Sequence, residues 1–209
     1  MNAGAIKSWL LLGGLLCACA IVEAQQPEPA AAQLNESGEI SVAGHESHYL
    51  IRHLPVSSFP GLPAEFAAEL NRRGCLIPQS YQAHGPENVV HASLERAGSS
   101  DWAALCTESA SEHGTVSLLV YFASAPKAVQ VLAAAPETER LQAHGAAGVL
   151  GFDWGIDAAS PKEIYDAQAG MKPRPKLVEH DALADSIIDH GTVYHYYAKS
   201  AWTTLETPE

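Results

Sequence analysis

The chain is poor in basic residues and in signature motifs. Only 12 Lys and Arg stand against 24 Asp and Glu in 209 residues, a formal net charge of −12. Such a balance repels phosphate backbones, so nucleic acid is excluded as an expected partner. There is no GxSxG, HExxH, P-loop or GxGxxG sequence. Their absence removes the nucleophile elbow, the zincin helix and the phosphate-cradling loops, and no cofactor is expected. A Ser/His/Asp triad assembled from distant positions would leave no local trace, because triads are defined by geometry. Past the first two dozen residues, no apolar run approaches the ~20 residues that span a bilayer.

What is present begins at the N-terminus. Residues 1–24 hold one basic residue (Lys7), an apolar run from Trp9 through Val22, and a small residue at the end. That order is a secretory signal peptide, with Val22-Glu23-Ala24 as the cleavage site. A second ending is Leu16-Cys17-Ala18-Cys19, which has the form of a lipobox. Cleavage before Cys19 and acylation of its thiol would tether the protein to a membrane. Either way the mature chain is expected to be secreted or periplasmic, or lipid-anchored through Cys19. About 185 residues then remain, enough for one domain with a sizeable core. Cysteine is scarce there: Cys75 and Cys106 alone remain. In an oxidising compartment such a pair forms a disulfide, and closing that loop would contribute roughly 3–4 kcal/mol in the chain-entropy model. Neither cysteine lies in a CxxC or beside a zinc-spaced histidine, so redox and metal roles are the weaker alternatives.

Residues 25–38 are polar and rich in Pro and Ala, and read as a flexible linker ahead of a domain at 39–206. Within it Asn35-Glu36-Ser37 is a glycosylation sequon, meaningful only in a eukaryotic host. From Glu39 to Leu54 the chain looks extended. Pro63 to Arg73 predicts a helix: Pro63 suits its first turn, Leu62, Phe66 and Leu70 share one face, and Gly74 caps it. Alternation over Val89–Leu94, Asp101–Thr107 and Thr115–Phe122 predicts a three-strand meander. Cys106 ends its second strand, so the bridge would staple helix to sheet. Alanine-rich segments after Pro126 predict short helices at Lys127–Ala134 and Glu137–His144, and Gly148–Ile156 a further strand. Ser160-Pro161-Lys162-Glu163 has the chemistry of a capping box, opening a helix that Gly170 ends. Thr192–Leu205 predicts a closing hairpin turning at Lys199-Ser200-Ala201. The fold class is therefore α+β: a mainly antiparallel sheet, meander plus C-terminal hairpin, with two or more packed helices and one disulfide.

Candidate chemistry is sparse. His45 and His48 form an HxxH, but on a strand residues three apart face opposite ways and do not chelate together. His53 adds little to them. Asp181, Asp185 and Asp189 recur every four residues beside His180 and His190. On a helix those carboxylates would line one face, where a hard cation such as calcium would relieve their repulsion. The ordinary reading is a solvated acidic face opposite buried Leu183 and Ile187. Tyr194, Tyr196, Tyr197 and Trp202 would form an aromatic surface for carbohydrate or peptide, or else fill the core of the hairpin. Asp101 after a Gly-Ser turn is expected to satisfy turn amides, with Trp102 in the core.

Two segments carry a resemblance: Arg73-Gly74-Cys75-Leu76-Ile77-Pro78-Gln79, and Asn88-Val89-Val90 through Asp101-Trp102-Ala103-Ala104-Leu105-Cys106. Together they resemble small secreted bacterial proteins of uncharacterised function with RGC-x-IPQ and DWA-x-LC motifs. The resemblance implies export and pairing of the two cysteines, and supplies no catalytic residues. Val89 to Val120 is also faintly similar to one segment of an FG-GAP repeat. Its loop holds only Asp101 as a carboxylate and occurs once, which argues against calcium and against a propeller. The expected function is a non-catalytic exported module that binds an envelope or extracellular ligand. The alternative is a small hydrolase or metal-dependent enzyme using Asp181, Asp185, Asp189, His180 and His190.

Overall fold

A computed structural model describes residues 34–108, 114–144, 148–188 and 190–208. The segment expected to be a signal peptide, with Cys17 and Cys19, and Asp189 lie outside the described residues. Thirteen strands are described: β1 (Asn35–Val42), β2 (His45–Pro55), β3 (Cys75–Gln79), β4 (Val89–Ala92), β5 (Asp101–Glu108), β6 (Thr115–Tyr121), β7 (Gln130–Pro136), β8 (Leu141–His144), β9 (Val149–Phe152), β10 (Trp154–Ala159), β11 (Ala182–Ile187), β12 (Gly191–Ala198) and β13 (Ala201–Leu205). Two α-helices, α1 (Ala64–Arg72) and α2 (Pro161–Ala167), complete the described regular structure, with 3₁₀ turns at Val56–Ser58 and Glu137–Arg140.

Nine of these strands form one mixed sheet ordered β7-β6-β5-β3-β2-β9-β8, with β1 on β2 and β4 on β5. The β2–β9 pair, Tyr49 and Leu50 against Leu150 and Gly151, is parallel. The second sheet is antiparallel, β10-β11-β12-β13. Side-chain alternation sorts the strands into layers. Phe66 and Leu70 of α1 bury against Cys75, Ile77, Ala104, Cys106 and Leu119 on one face of the large sheet. Its other face sends Ile51, Leu105, Leu118 and Val120 against Trp154, Ile156 and Leu183 of the small sheet. The far side of the small sheet carries Ala182, Ala184, Tyr194 and Tyr196 onto Ile164 of α2. The order is helix, sheet, sheet, helix.

Several local expectations hold for physical reasons. Phe66 and Leu70 are fully buried at four-residue spacing, and Glu69 accepts from Arg72 and Arg73 at 2.6–2.7 Å in the last turn. Those hydrogen bonds hold the Glu69 carboxyl down at about 2. At α2 the Ser160 hydroxyl accepts from the Glu163 amide, and the Glu163 side chain accepts from the Ser160 amide at 2.7 Å. The hairpin β12–β13 closes on Ala198↔Ala201 through Lys199 and Ser200, both at positive φ (52° and 61°), the conformation a two-residue turn demands.

Other expectations need correction. The meander β4-β5-β6 exists but lies inside a nine-stranded mixed sheet. Strand β1 begins at Asn35, so the linker expected at 25–38 gives way four residues early to a strand paired with β2. The alanine segment at 127–134 is largely β7, not helix, because the open edge of β6 offers ladder bonds and tertiary pairing overrides alanine's intrinsic helix preference. Of Glu137–His144 only a 3₁₀ turn is helical, and Leu141–His144 pairs with β9. The strand expected at 148–156 is two: the chain leaves the large sheet after Phe152 and enters the small one at Trp154. Asn88, at φ 66°, helps to join the sheets by donating to the Trp154 carbonyl and accepting from the Ile156 amide.

Cys75 and Cys106 are bonded, with Cα atoms 5.0 Å apart. Both lie in neighbouring strands β3 and β5 beneath α1, so the bridge joins strand to strand rather than helix to sheet. No described helix is long and apolar enough to cross a membrane.

Replacing both cysteines by serine should lower unfolding free energy by roughly 3–4 kcal/mol, given a sequence separation of 31 residues. Peptide mapping without reductant should find Cys75 joined to Cys106, and two free thiols in exported protein would refute the pairing. A second test concerns Tyr49, whose hydroxyl donates to Glu36 at 2.9 Å. Burial first, then Glu36 and the charge of Glu137, push its phenol up to about 12. The unfolded phenol ionises near pH 10, so the unfolded state sheds its proton first and stability falls as pH rises from about 10 toward 12. A near-ultraviolet titration should lose its latest-ionising phenol in Tyr49→Phe, and an unchanged curve would contradict this burial.

Candidate functional site

The change of sheet at Asp153 builds the site. At this corner the Asp153 amide donates to the Arg140 carbonyl at 2.8 Å, and its carbonyl accepts from the Ile188 amide at 3.2 Å. The corner thus holds the 3₁₀ turn Glu137–Arg140 on one side and the β11–β12 hairpin on the other. Between them opens a cleft of about 390 Å³, lined by Arg140, Asp185, Ile187, His190, Thr192 and Val193.

Among the described residues, Arg140 and Asp185 are the charged side chains that line the cleft. The Arg140 guanidinium lies over the Trp154 ring, 4.4 Å from its centroid. Trp154 is fully buried, and its indole N–H donates to Asp185 Oδ1 at 2.6 Å. The other Asp185 oxygen faces His195 Nε2 at 3.1 Å. Among the described residues no carboxylate lies within ion-pairing distance of Arg140. A cation stacked on an indole is held in place by the ring rather than by a carboxylate. Ile187 and Val193, the latter 44% exposed, supply an apolar wall.

The opposite end of the same turn is anchored more deeply. Glu137 has no exposed surface, and its Oε1 meets both His53 Nε2 and Thr107 Oγ1 at 2.7 Å. His53 Nδ1 is 2.9 Å from the Leu34 carbonyl, which only accepts, so Nδ1 carries a proton. One further proton lies between Nε2 and Oε1, whether on imidazole or on carboxyl, and in both cases the pair has no net charge. This neutrality is what lets it sit in the interior. Sequence reasoning set His53 aside and ignored Glu137. They are 84 residues apart, and no local pattern joins them.

The acidic series is dispersed. Residues 182–187 form a strand, β11, rather than a helix, because both of its faces are covered and every second position is needed for packing. Four residues along a strand span ~13 Å, too far to share one cation. Asp181 accepts from the Ser93 amide at 3.0 Å, and Asp185 serves Trp154 and His195. His180 stacks on Tyr196 at the other end of β11, while His190 is exposed at the cleft. Among the described residues no three His, Cys, Asp or Glu gather as a metal site. Asp185 and His190 alone of the series line the cleft, and Asp189 lies outside the described residues.

The tail aromatics point to two faces. Tyr194 and Tyr196 pack toward α2, whereas Tyr197 and Trp202 pack on Phe122 at 4.7 and 5.9 Å. Tyr196 and Tyr197 also edge a shallow groove with Leu177, His180 and Lys199. Asp101, fully buried, accepts from the amides of Glu95 and Ala123, as expected of a turn-satisfying carboxylate. His45 and His48 are exposed on β2.

Compared with known proteins, the chain matches no family model, no curated protein and no solved structure.

A double-mutant cycle tests the anchor. His53→Ala and Glu137→Ala should each cost about 3 kcal/mol in urea unfolding, since each strands a buried partner. The double variant should cost well under their sum, with coupling above about 1 kcal/mol. Strict additivity would show that the two side chains do not act as a pair.

Proposed function

We propose that the chain is an exported, non-catalytic binding module whose ligand site is the cleft between Arg140 and the β11–β12 hairpin. The observation that supports it most is the state of the cleft's charged groups. Arg140 is fixed on Trp154 with no ion-pair partner among the described residues, while Asp185 is already committed to two hydrogen-bonding neighbours. A positioned, unneutralised cation beside an apolar wall suits recognition. The resemblance to small secreted bacterial proteins and the apolar N-terminal segment support a module outside the cytoplasm, secreted, periplasmic, or lipid-anchored through Cys19. The disulfide agrees with an oxidising compartment.

One contact favours the second reading, a small hydrolase or metal-dependent enzyme. The Asp185–His195 approach at 3.1 Å is the orienting half of a nucleophile-activating pair.

A thermal-shift series of the mature domain against sugars, peptidoglycan fragments, calcium, zinc and EDTA separates the readings. A ligand at 100 times its Kd adds ~2.7 kcal/mol to the folded state. The binding reading expects a shift without turnover, reduced in Arg140→Gln. An EDTA-reversible zinc shift, or turnover abolished by Asp185→Asn, would replace it with the enzyme.

A further inference from the structure

We infer that the cleft takes a small organic carboxylate with a short apolar body, held by Arg140 and laid against Ile187 and Val193; the inference rests on the cleft being the ligand site. Three features converge on that chemistry. First, the ligand-facing charge is a guanidinium, whose planar fork matches the two oxygens of a carboxylate. Arg140 Nε is buried and has no hydrogen-bond partner among the described residues. With Nε buried, the carboxylate of this proposal is met by the terminal nitrogens of the guanidinium.

Second, the negative charge already in the cleft is tied down. Asp185 accepts the Trp154 indole N–H through one oxygen and faces the His195 ring through the other, so its charge is spread into donors behind the wall. Exposed His190 adds a second donor at the rim. Among the described residues that line the cleft, Arg140 is the one Lys or Arg, and the one carboxylate there, Asp185, already has its donors. In a chain of net charge −12, that makes the cleft a place where an anion can meet an arginine.

Third, size and polarity limit the body of the ligand. A space of about 390 Å³ lies near the small end of ligand sites. The Thr192 hydroxyl is engaged with Ser186 Oγ at 2.8 Å, which leaves Ile187 and Val193 as the wall a ligand touches. Among the described lining residues a sugar would find few free side-chain hydrogen-bonding groups. A short alkyl or branched carboxylate would bury its chain and keep its charge on Arg140.

The test is nuclear magnetic resonance of the ¹⁵N-labelled mature domain titrated with butyrate, with the neutral isostere butyramide and with inorganic phosphate. Saturable shifts by butyrate of the Arg140 Nε–H signal and of the Gly191–Val193 amides, at least tenfold weaker with butyramide and with phosphate, are expected. Arg140→Gln should abolish them. Because that change also removes the stack on Trp154, Val193→Asp provides a second variant on an exposed wall position. It should weaken butyrate binding about tenfold, while Val193→Asn should weaken it far less. Equal binding of butyrate and butyramide in the cleft would overturn the carboxylate assignment and leave the cleft as the site. Tighter phosphate binding would make the ligand an inorganic anion instead. Absence of saturable shifts at the cleft with all three would overturn the inference, and the broader thermal-shift series would then decide whether any ligand uses this cleft.

Discussion

The interior position of Glu137 constrains much of what surrounds it. A carboxyl group with no exposed surface is tolerated only with a proton or with donors, and in this protein His53 and Thr107 converge on one oxygen. Because His53 also reaches the Leu34 carbonyl, the constraint extends in two directions. It ties the residue before β1 to β2, and it ties the turn Glu137–Arg140 to β2 and β5 of the large sheet. Gly114 reflects the same crowding, since a Cβ there would lie 2.5 Å from Thr107 Cγ2 and 3.3 Å from Glu137 Oε2. The Gly114 carbonyl in turn accepts from the Glu137 amide at 2.8 Å.

From that anchor the site follows by connectivity. Three residues past Glu137, at the end of the same turn, Arg140 is delivered to Trp154, the first residue of the small sheet. The carbonyl of Arg140 and the backbone of Asp153 close the corner where the chain changes sheets. A corner of this kind cannot be smoothed into either sheet, so it leaves space beside it. The cleft is that space, and Arg140 and Asp185 face it from a 3₁₀ turn and a strand.

How much of this was legible depended on range. The helix α1, the capping box before α2 and the turn at Lys199–Ser200 are local devices, each complete within a few residues, and sequence reasoning found them. The cysteine pairing was legible because only two candidates remained. The alanine-rich segment at 127–134 misled because a β edge decided the conformation of most of it, and an edge is invisible without the neighbouring strand. The four-residue rhythm of Asp181 and Asp185 misled for a related reason. That spacing returns to one face on a strand as well as on a helix, and burial of both faces of β11 made it a strand. His53 with Glu137, and Arg140 with Trp154, are products of topology alone.

The most direct test is the exchange behaviour of the His53 ring protons in ¹⁵N-histidine-labelled domain. If His53 bridges Leu34 and Glu137 in the interior, its Nδ1–H should be seen as a slowly exchanging resonance, unlike those of the exposed His45 and His48, and it should vanish in Glu137→Ala. A His53 ring whose protons exchange as fast as those of His45 and His48 would contradict the buried anchor, and with it the origin of the turn that presents Arg140.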